Sequence, residues 1–163
     1  MRIARRFLGA FGLLATLAST GAGAQGLTFT SMSVAGFPLT VTGTTPDNFD
    51  SGSILFGNTS FTVNLILNFF GNFNPRVTTV QVRCGAPCPA SVAQVQWRRA
   101  DLSTWNSLST AFVTIETRTA YYNGTNDPWS QTLQWRYLLN WATTPPVVSL
   151  QFPIDFQLVV TAP

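Results

Sequence analysis

The chain has 163 residues, of which nine are positively charged, six are acidic and none is His, so the formal net charge is +3. All nine positive residues are Arg, which excludes Lys chemistry such as Schiff-base formation, and the lack of His removes the commonest general base and metal ligand. Charged residues make up only 9% of the chain, which excludes a highly charged disordered protein.

Residues 1–24 have the pattern of a secretory signal peptide. Three Arg residues precede an apolar stretch from 7 to 17, and a cleavage site of small residues ends at Ala24. The apolar stretch is too short to span a bilayer core of about 30 Å comfortably. We therefore expect cleavage before Gln25 and no transmembrane segment afterwards; the alternative is an uncleaved anchor helix. A signal with Arg as its only positive residue and with many Ala points to a bacterial source.

Removal of the signal peptide changes the charge of the chain. The mature protein would keep 139 residues (163 − 24), with six Arg (9 − 3) balancing six acidic residues. Because no basic surface remains to neutralise phosphates, we expect no nucleic-acid partner. Thr, Ser, Asn and Gln make up 49 of the 139 residues, so the surface is rich in hydroxyl and amide groups and lacks the charge that usually protects sheet edges.

Hydrophobic residues alternate with polar ones along most of the mature chain, which is typical of antiparallel strands with one buried face. We predict strands near 27–33, 37–42, 53–57, 60–70, 77–84, 92–99, 111–120, 132–141 and 149–161. This pattern predicts an all-β fold, a single antiparallel β-sandwich of immunoglobulin-like type over 25–163, with a jelly roll as the alternative. The segment 25–45 is either an N-terminal arm or the first strand.

The two cysteines, Cys84 and Cys88, lie in one short turn. Export to an oxidising compartment favours a disulfide between them, and a free or reactive pair is the alternative. A zinc site would need two further nitrogen or sulfur ligands, which the chain lacks.

Catalytic groups are scarce. No His accompanies the Ser residues, and only Asp47 and Asp50 are carboxylates close together in the sequence. They resemble calcium ligands in type, but the spacing does not fit an EF-hand, so an ordinary turn is the preferred interpretation. We expect no cofactor, no metal and no enzymatic activity.

The Trp and Tyr residues fall into two groups. Trp97, Trp135, Tyr137 and Trp141 share the apolar phase of predicted strands and are expected in the core. The candidates for ligand contact lie in or beside predicted turns, where they would stack on a ligand ring or fold back as lids: Trp105, Tyr121, Tyr122 and Trp129.

Three functions remain compatible with the sequence. The preferred hypothesis is a non-catalytic, exported structural, adhesive or surface-assembly module of a bacterial envelope. The second is a carbohydrate-binding module that uses the loop aromatics, and the third is a small secreted hydrolase. The expected partners are further copies of the chain, joined through β-edges, or a cell-surface or glycan partner. The expected location is secreted, periplasmic or at the cell surface.

Overall fold

The computed structural model describes residues 27–67, 76–120, 129–147 and 149–161. The predicted signal peptide lies outside the described residues, as does the segment 121–128. Within the described ranges the chain forms ten strands: β1 (Leu27–Ala35), β2 (Leu39–Thr42), β3 (Ser53–Leu67), β4 (Arg76–Cys84), β5 (Val95–Arg99), β6 (Asn106–Ser107), β7 (Val113–Ala120), β8 (Trp129–Leu138), β9 (Ser149–Phe152) and β10 (Ile154–Thr161). The same ranges contain one short α-helix, α1 (Pro46–Asp50), and a 3₁₀ turn (Ala90–Gln94).

The described strands form three antiparallel sheets. A five-stranded sheet has the order β1-β3-β8-β5-β6, a three-stranded sheet has the order β10-β4-β7, and β2 pairs with β9. The prediction of an all-β chain with antiparallel sheets is therefore confirmed. No helix in the described part of the chain is long and apolar enough to span a membrane.

The strand boundaries differ from the prediction at several places. The first part of the predicted strand 92–99 belongs to the 3₁₀ turn Ala90–Gln94, so β5 begins at Val95, and the predicted strand 132–141 lies at Trp129–Leu138. The predicted strands 53–57 and 60–70 are joined in β3, where a bulge between Leu55 and Gly57 lets one strand continue along β8. The predicted last strand is divided at Pro153, which lacks a backbone N–H, so β9 pairs with β2 while β10 pairs with β4. The two-residue strand β6 is too short to show an alternating pattern.

The segment 25–45 contributes strands to its own chain. β1 pairs with β3 from Leu27 opposite Leu67 to Ala35 opposite Ser60. The chain then turns at Gly36, whose φ is +96°, and a Cβ there would lie 2.3 Å from the backbone oxygen of Asn58. Only glycine fits this turn, because it tolerates positive φ and has no Cβ.

One hydrophobic core receives side chains from all three sheets. Trp135 from the five-stranded sheet, Val80 from the three-stranded sheet and Val41 from the two-stranded sheet are each fully buried and belong to the same cluster. The indole N–H of Trp135 donates a 2.9 Å hydrogen bond to Oγ1 of Thr59, which is also buried. The only polar group of the indole is therefore satisfied inside the core.

Candidate functional site

Trp105, the first ligand-contact candidate, lies just before β6 and is half-buried. The guanidinium carbons of Arg98 and Arg136 lie 4.7 and 4.3 Å from the centre of its ring. These distances are within the range of cation–π contacts. Part of the surface of the Trp105 ring is therefore covered by two side chains of the same protein.

A ladder of arginine and glutamine side chains holds both guanidinium groups. Strand register places Gln96 opposite Arg136 and Arg98 opposite Gln134, on the face of the sheet away from the core. Arg98 Nε donates to Gln134 Oε1 at 2.8 Å, and Arg136 Nε donates to Gln96 Oε1 at 2.8 Å. This arrangement makes the outer face of the β5–β8 pair polar.

Trp129, the second candidate, is placed differently from the expectation of an exposed loop residue. It is the first residue of β8 and is only 9% exposed. Its ring packs edge-on against Phe61 with the centroids 5.5 Å apart, and Arg118 lies 4.6 Å from its centre. Trp129 has the same odd-numbered phase as the buried residues Leu133 and Trp135 of this strand, so its side chain points inward.

The remaining two aromatic candidates, Tyr121 and Tyr122, lie outside the described residues, together with the turn that follows them.

Charged side chains from two different sheets meet around Arg99. Its guanidinium contacts Asp101 at 2.5 Å and Glu116 at 3.2 Å, and Glu116 also bonds Arg118 at 2.6 Å. The hydrogen bond from Arg99 is the main cause of a lowered pKa for Asp101, and the same bond raises the pKa of Arg99. Asp101 therefore stays ionised at neutral pH and is a poor proton donor. Sequence reasoning missed the contact of Arg99 with Glu116, because β5 and β7 belong to separate sheets.

The two carboxylates of the weak calcium candidate do not form a ligand cage in the described residues. Asp47 and Asp50 are exposed residues of α1. Asp50 Oδ1 accepts a 3.1 Å hydrogen bond from Nε1 of Trp141. Within the described part of the chain, no group of three or more His, Cys, Asp or Glu side chains is arranged to hold a metal ion.

Trp141 corrects the expectation that it belongs to the core. It is 62% exposed, although it continues the apolar phase of Trp135 and Tyr137. The strand pairing ends at Leu138, and the backbone turns at Asn140, whose carbonyl accepts bonds from the next turn. Alternation of buried and exposed side chains holds only within a strand, so the position of Trp141 in the alternating pattern does not predict its burial. Its indole stacks on Phe49 with centroids 4.6 Å apart and an interplanar angle of 28°.

The cysteine pair is bonded as expected. A disulfide joins Cys84, the buried last residue of β4, to Cys88, and their Cα atoms lie 5.7 Å apart. The bond closes the turn that leads to the 3₁₀ turn and β5. It therefore fixes a connection between two sheets rather than the centre of the core.

Comparisons of the chain with protein-family models, with curated proteins and with solved structures give no match.

Proposed function

We propose that the chain is a non-catalytic, exported structural or adhesive module that assembles with copies of itself through β1. The observation that carries the proposal is the composition of this edge strand. β1 lies at the end of the five-stranded sheet, and among the described residues its only hydrogen-bonded partner strand is β3. Its nine residues include no charged residue and no Pro.

The other sheet edges differ from β1. The edge strand β7 carries Glu116 and Arg118, and β10 carries Asp155, which bonds Arg83 at 3.1 Å. The edge strand β6 is only two residues long, and the edge strands β2 and β9 of the two-stranded sheet have four residues each. Charged side chains and short strands are the usual means of blocking unwanted pairing at an edge. β1 has neither protection, which makes it the edge suited to strand addition by a second copy.

The proposed architecture behind this edge is an antiparallel β-sandwich of immunoglobulin-like type over residues 25–163, with a jelly roll as the alternative. Its support is the single core shared by all three sheets, since a core of this kind forms between two packed layers. In this architecture the five-stranded sheet is one layer, and the two smaller sheets together form the other. The two smaller sheets are joined at Pro153, where β9 leads directly into β10.

The proposed location is outside the cytoplasm, in the periplasm, at the cell surface or secreted. The predicted signal peptide and the Cys84–Cys88 disulfide support this location. The predicted mature chain carries no net charge, so copies of it would repel each other little.

The carbohydrate-binding and hydrolase alternatives gain little from the residues first chosen for them. Trp129 is buried and the half-buried ring of Trp105 is in contact with two guanidinium groups, so neither is a freely exposed loop aromatic. Asp101 and Glu116 both contact Arg99, and they are the carboxylate pair that a hydrolase would have to use. However, Arg99 hydrogen-bonds Asp101 and forms a 3.2 Å ion pair with Glu116, so both carboxylates are engaged in structural contacts.

The test measures the mass of the exported protein in solution as a function of concentration. Ser33→Lys places a charge on the exposed face of β1, and Ser60→Lys places the same charge on the exposed face of the internal strand β3. We expect the wild type to form dimers or larger assemblies, Ser33→Lys to weaken them at least about tenfold, and Ser60→Lys to leave them unchanged.

Light scattering after size exclusion, combined with sedimentation equilibrium, gives the masses. A wild-type protein that stays monomeric up to about 1 mM would reject assembly, because weaker association corresponds to less than about 4 kcal/mol. If Ser33→Lys and Ser60→Lys weaken the assembly equally, the added charge does not act through the β1 edge.

A further inference from the structure

Among the aromatic side chains that the structure describes, Trp141 is the most exposed, at 62%. A single exposed apolar residue is ordinary on a protein surface. Trp141 differs because its ring is held in one orientation by two side chains of α1. Phe49 stacks against one face of the indole, and Asp50 accepts the hydrogen bond of the indole N–H.

The stacked pair leaves one face of the indole open. Phe49 is only 6% exposed and belongs to the core, so it covers the inner face of the ring from below. The exposed area of Trp141 therefore lies mainly on the opposite face and the ring edge. We call Trp141, Phe49 and Asp50 the Trp141 platform.

The helix that carries half of the platform is firmly held. The backbone N–H of Thr45 donates to Oδ1 of Asn48 at 2.9 Å, and Pro46 occupies the first turn of α1. Thr44 then ties α1 to the loop of Trp141, because its N–H bonds the carbonyl of Val147 at 3.0 Å and its hydroxyl accepts the N–H of Val147 at 2.7 Å.

The loop that carries the other half is held by its own turn. Oδ1 of Asn140 accepts the N–H of Ala142 at 2.8 Å, and the carbonyl of Asn140 accepts the N–H of Thr144 at 2.9 Å. Thr144 is buried and its hydroxyl accepts the N–H of Asn140 at 3.2 Å. Since both halves are fixed before any ligand arrives, binding to the platform costs little ordering of the protein.

The chemistry of the platform matches a sugar ring. The face of an indole carries the negative part of the aromatic quadrupole, which attracts the weakly positive C–H groups on the flat side of a pyranose. At the edge of the ring, the exposed carboxylate of Asp50 uses one oxygen for the indole and offers further lone pairs to sugar hydroxyl groups. A quaternary or ammonium cation would prefer several aromatic walls, whereas this platform is a single open plane.

We propose that the Trp141 platform binds the apolar face of a pyranose ring in a glycan, with Asp50 accepting a hydrogen bond from a ring hydroxyl. This site is separate from the four aromatic residues singled out by sequence. Binding at this site does not depend on assembly through β1, so the two proposals are tested independently.

The test measures binding of four hexasaccharides to the exported protein: cellohexaose, xylohexaose, chitohexaose and maltohexaose. Calorimetry gives the affinity, and protection of tryptophan fluorescence from acrylamide reports on the site. Trp141 dominates that signal because the other four indoles are buried or half-buried: Trp97, Trp105, Trp129 and Trp135. We expect at least one hexasaccharide to bind and to protect Trp141 from quenching.

Variants assign the site. Trp141→Ala should weaken binding at least about tenfold, while Trp141→Tyr should retain most of it because an aromatic plane remains. Asp50→Asn keeps an acceptor and should weaken binding only a few-fold, whereas Asp50→Ala should weaken it more. The matched control is Trp105→Ala, which removes an indole from a different surface and should leave binding unchanged.

Three results would overturn the proposal. The first is that none of the four hexasaccharides binds. The second is that Trp141→Ala binds as tightly as the wild type while Trp105→Ala does not. The third is that choline or hexalysine protects Trp141 and the sugars do not, which would identify the platform as a cation site. Far-UV circular dichroism of each variant shows that a loss of binding is not a loss of fold.

Discussion

At the centre of the core, the indole N–H of Trp135 bonds the hydroxyl of Thr59 where neither group reaches water. Trp135→Ala should destabilise the protein by about 3–5 kcal/mol, because it removes a fully buried ring and leaves a cavity. Thr59→Val should cost about 1–3 kcal/mol, since the indole N–H then stays buried without an acceptor. Urea unfolding followed by far-UV circular dichroism measures both.

The same pair provides its own control. In Thr59→Val combined with Trp135→Phe, neither buried polar group remains, so no donor or acceptor is left unsatisfied. We expect the double variant to lose less stability than the sum of the two single variants, Thr59→Val and Trp135→Phe. Strictly additive losses would mean that the hydrogen bond contributes nothing to stability.

On the surface, the ion pair between Arg99 and Asp101 makes a contribution to stability that depends on pH. The hydrogen bond from Arg99 lowers the pKa of Asp101 in the folded protein. Its stabilising effect is therefore present above the unfolded pKa of about 3.9 and is lost as the pH falls through the lower folded pKa. We expect the stability difference between wild type and Asp101→Asn to be small at pH 7 and to shrink as the pH falls below about 4.

Denaturant midpoints measured from pH 7 to pH 2 test this expectation. If the stability difference between wild type and Asp101→Asn stays constant with pH, then Asp101 acts through packing or through contacts with the backbone and not through its charge.

At the scale of the elements, the turn between β1 and β2 depends on Gly36. Gly36→Ala introduces a Cβ at a φ of +96° and directly against the backbone of Asn58. Positive φ alone costs a non-glycine residue about 1–2 kcal/mol, and the backbone clash adds to it. We therefore expect a loss of more than about 2 kcal/mol in the free energy of unfolding.

Gly52→Ala is the matched control, because Gly52 also has positive φ (+72°) but a Cβ there meets nothing within 4 Å. Its cost should be limited to about 1–2 kcal/mol. Equal losses at the two glycines, measured by chemical unfolding, would contradict the role of the close approach between Gly36 and Asn58.

The strands show how far alternation in the sequence determines structure. Val80, Val82 and Cys84 are buried as their phase predicts, because a strand paired on both sides keeps its alternation. Alternation does not determine where pairing stops. Trp141 lies three residues beyond the end of β8 and is exposed, whereas Trp129 starts the same strand and is buried.

At the scale of the whole molecule, the contacts least visible in the sequence join distant segments. The disulfide spans four positions and could be predicted from composition and compartment. The hydrogen bond of the Trp141 platform spans 91 positions, and the contact of Arg99 with Glu116 joins two sheets. Such contacts depend on how the sheets pack on each other, which a local pattern does not specify.

The same packing predicts how the molecule unfolds. Phe152 lies in the two-stranded sheet and is 2% exposed, yet its ring lies 5.9 Å from that of Tyr137 and 6.0 Å from that of Phe56, both in the five-stranded sheet. Phe152→Ala should therefore lower the stability of the whole domain by about 3–5 kcal/mol, and Phe152→Leu by less. Gln151→Ala, an exposed neighbour on β9, should change it by less than about 0.5 kcal/mol.

Unfolding curves from far-UV circular dichroism and from tryptophan fluorescence distinguish this from local melting. If the sheets share one core, the two curves of Phe152→Ala coincide and move together to lower denaturant, because loss of one sheet removes the packing surface of the others. If β2 and β9 were an independent unit, the variant would lose part of its circular dichroism signal first, while the fluorescence of Trp135 kept its wild-type midpoint. The burial of Phe152 against Tyr137 favours the single transition.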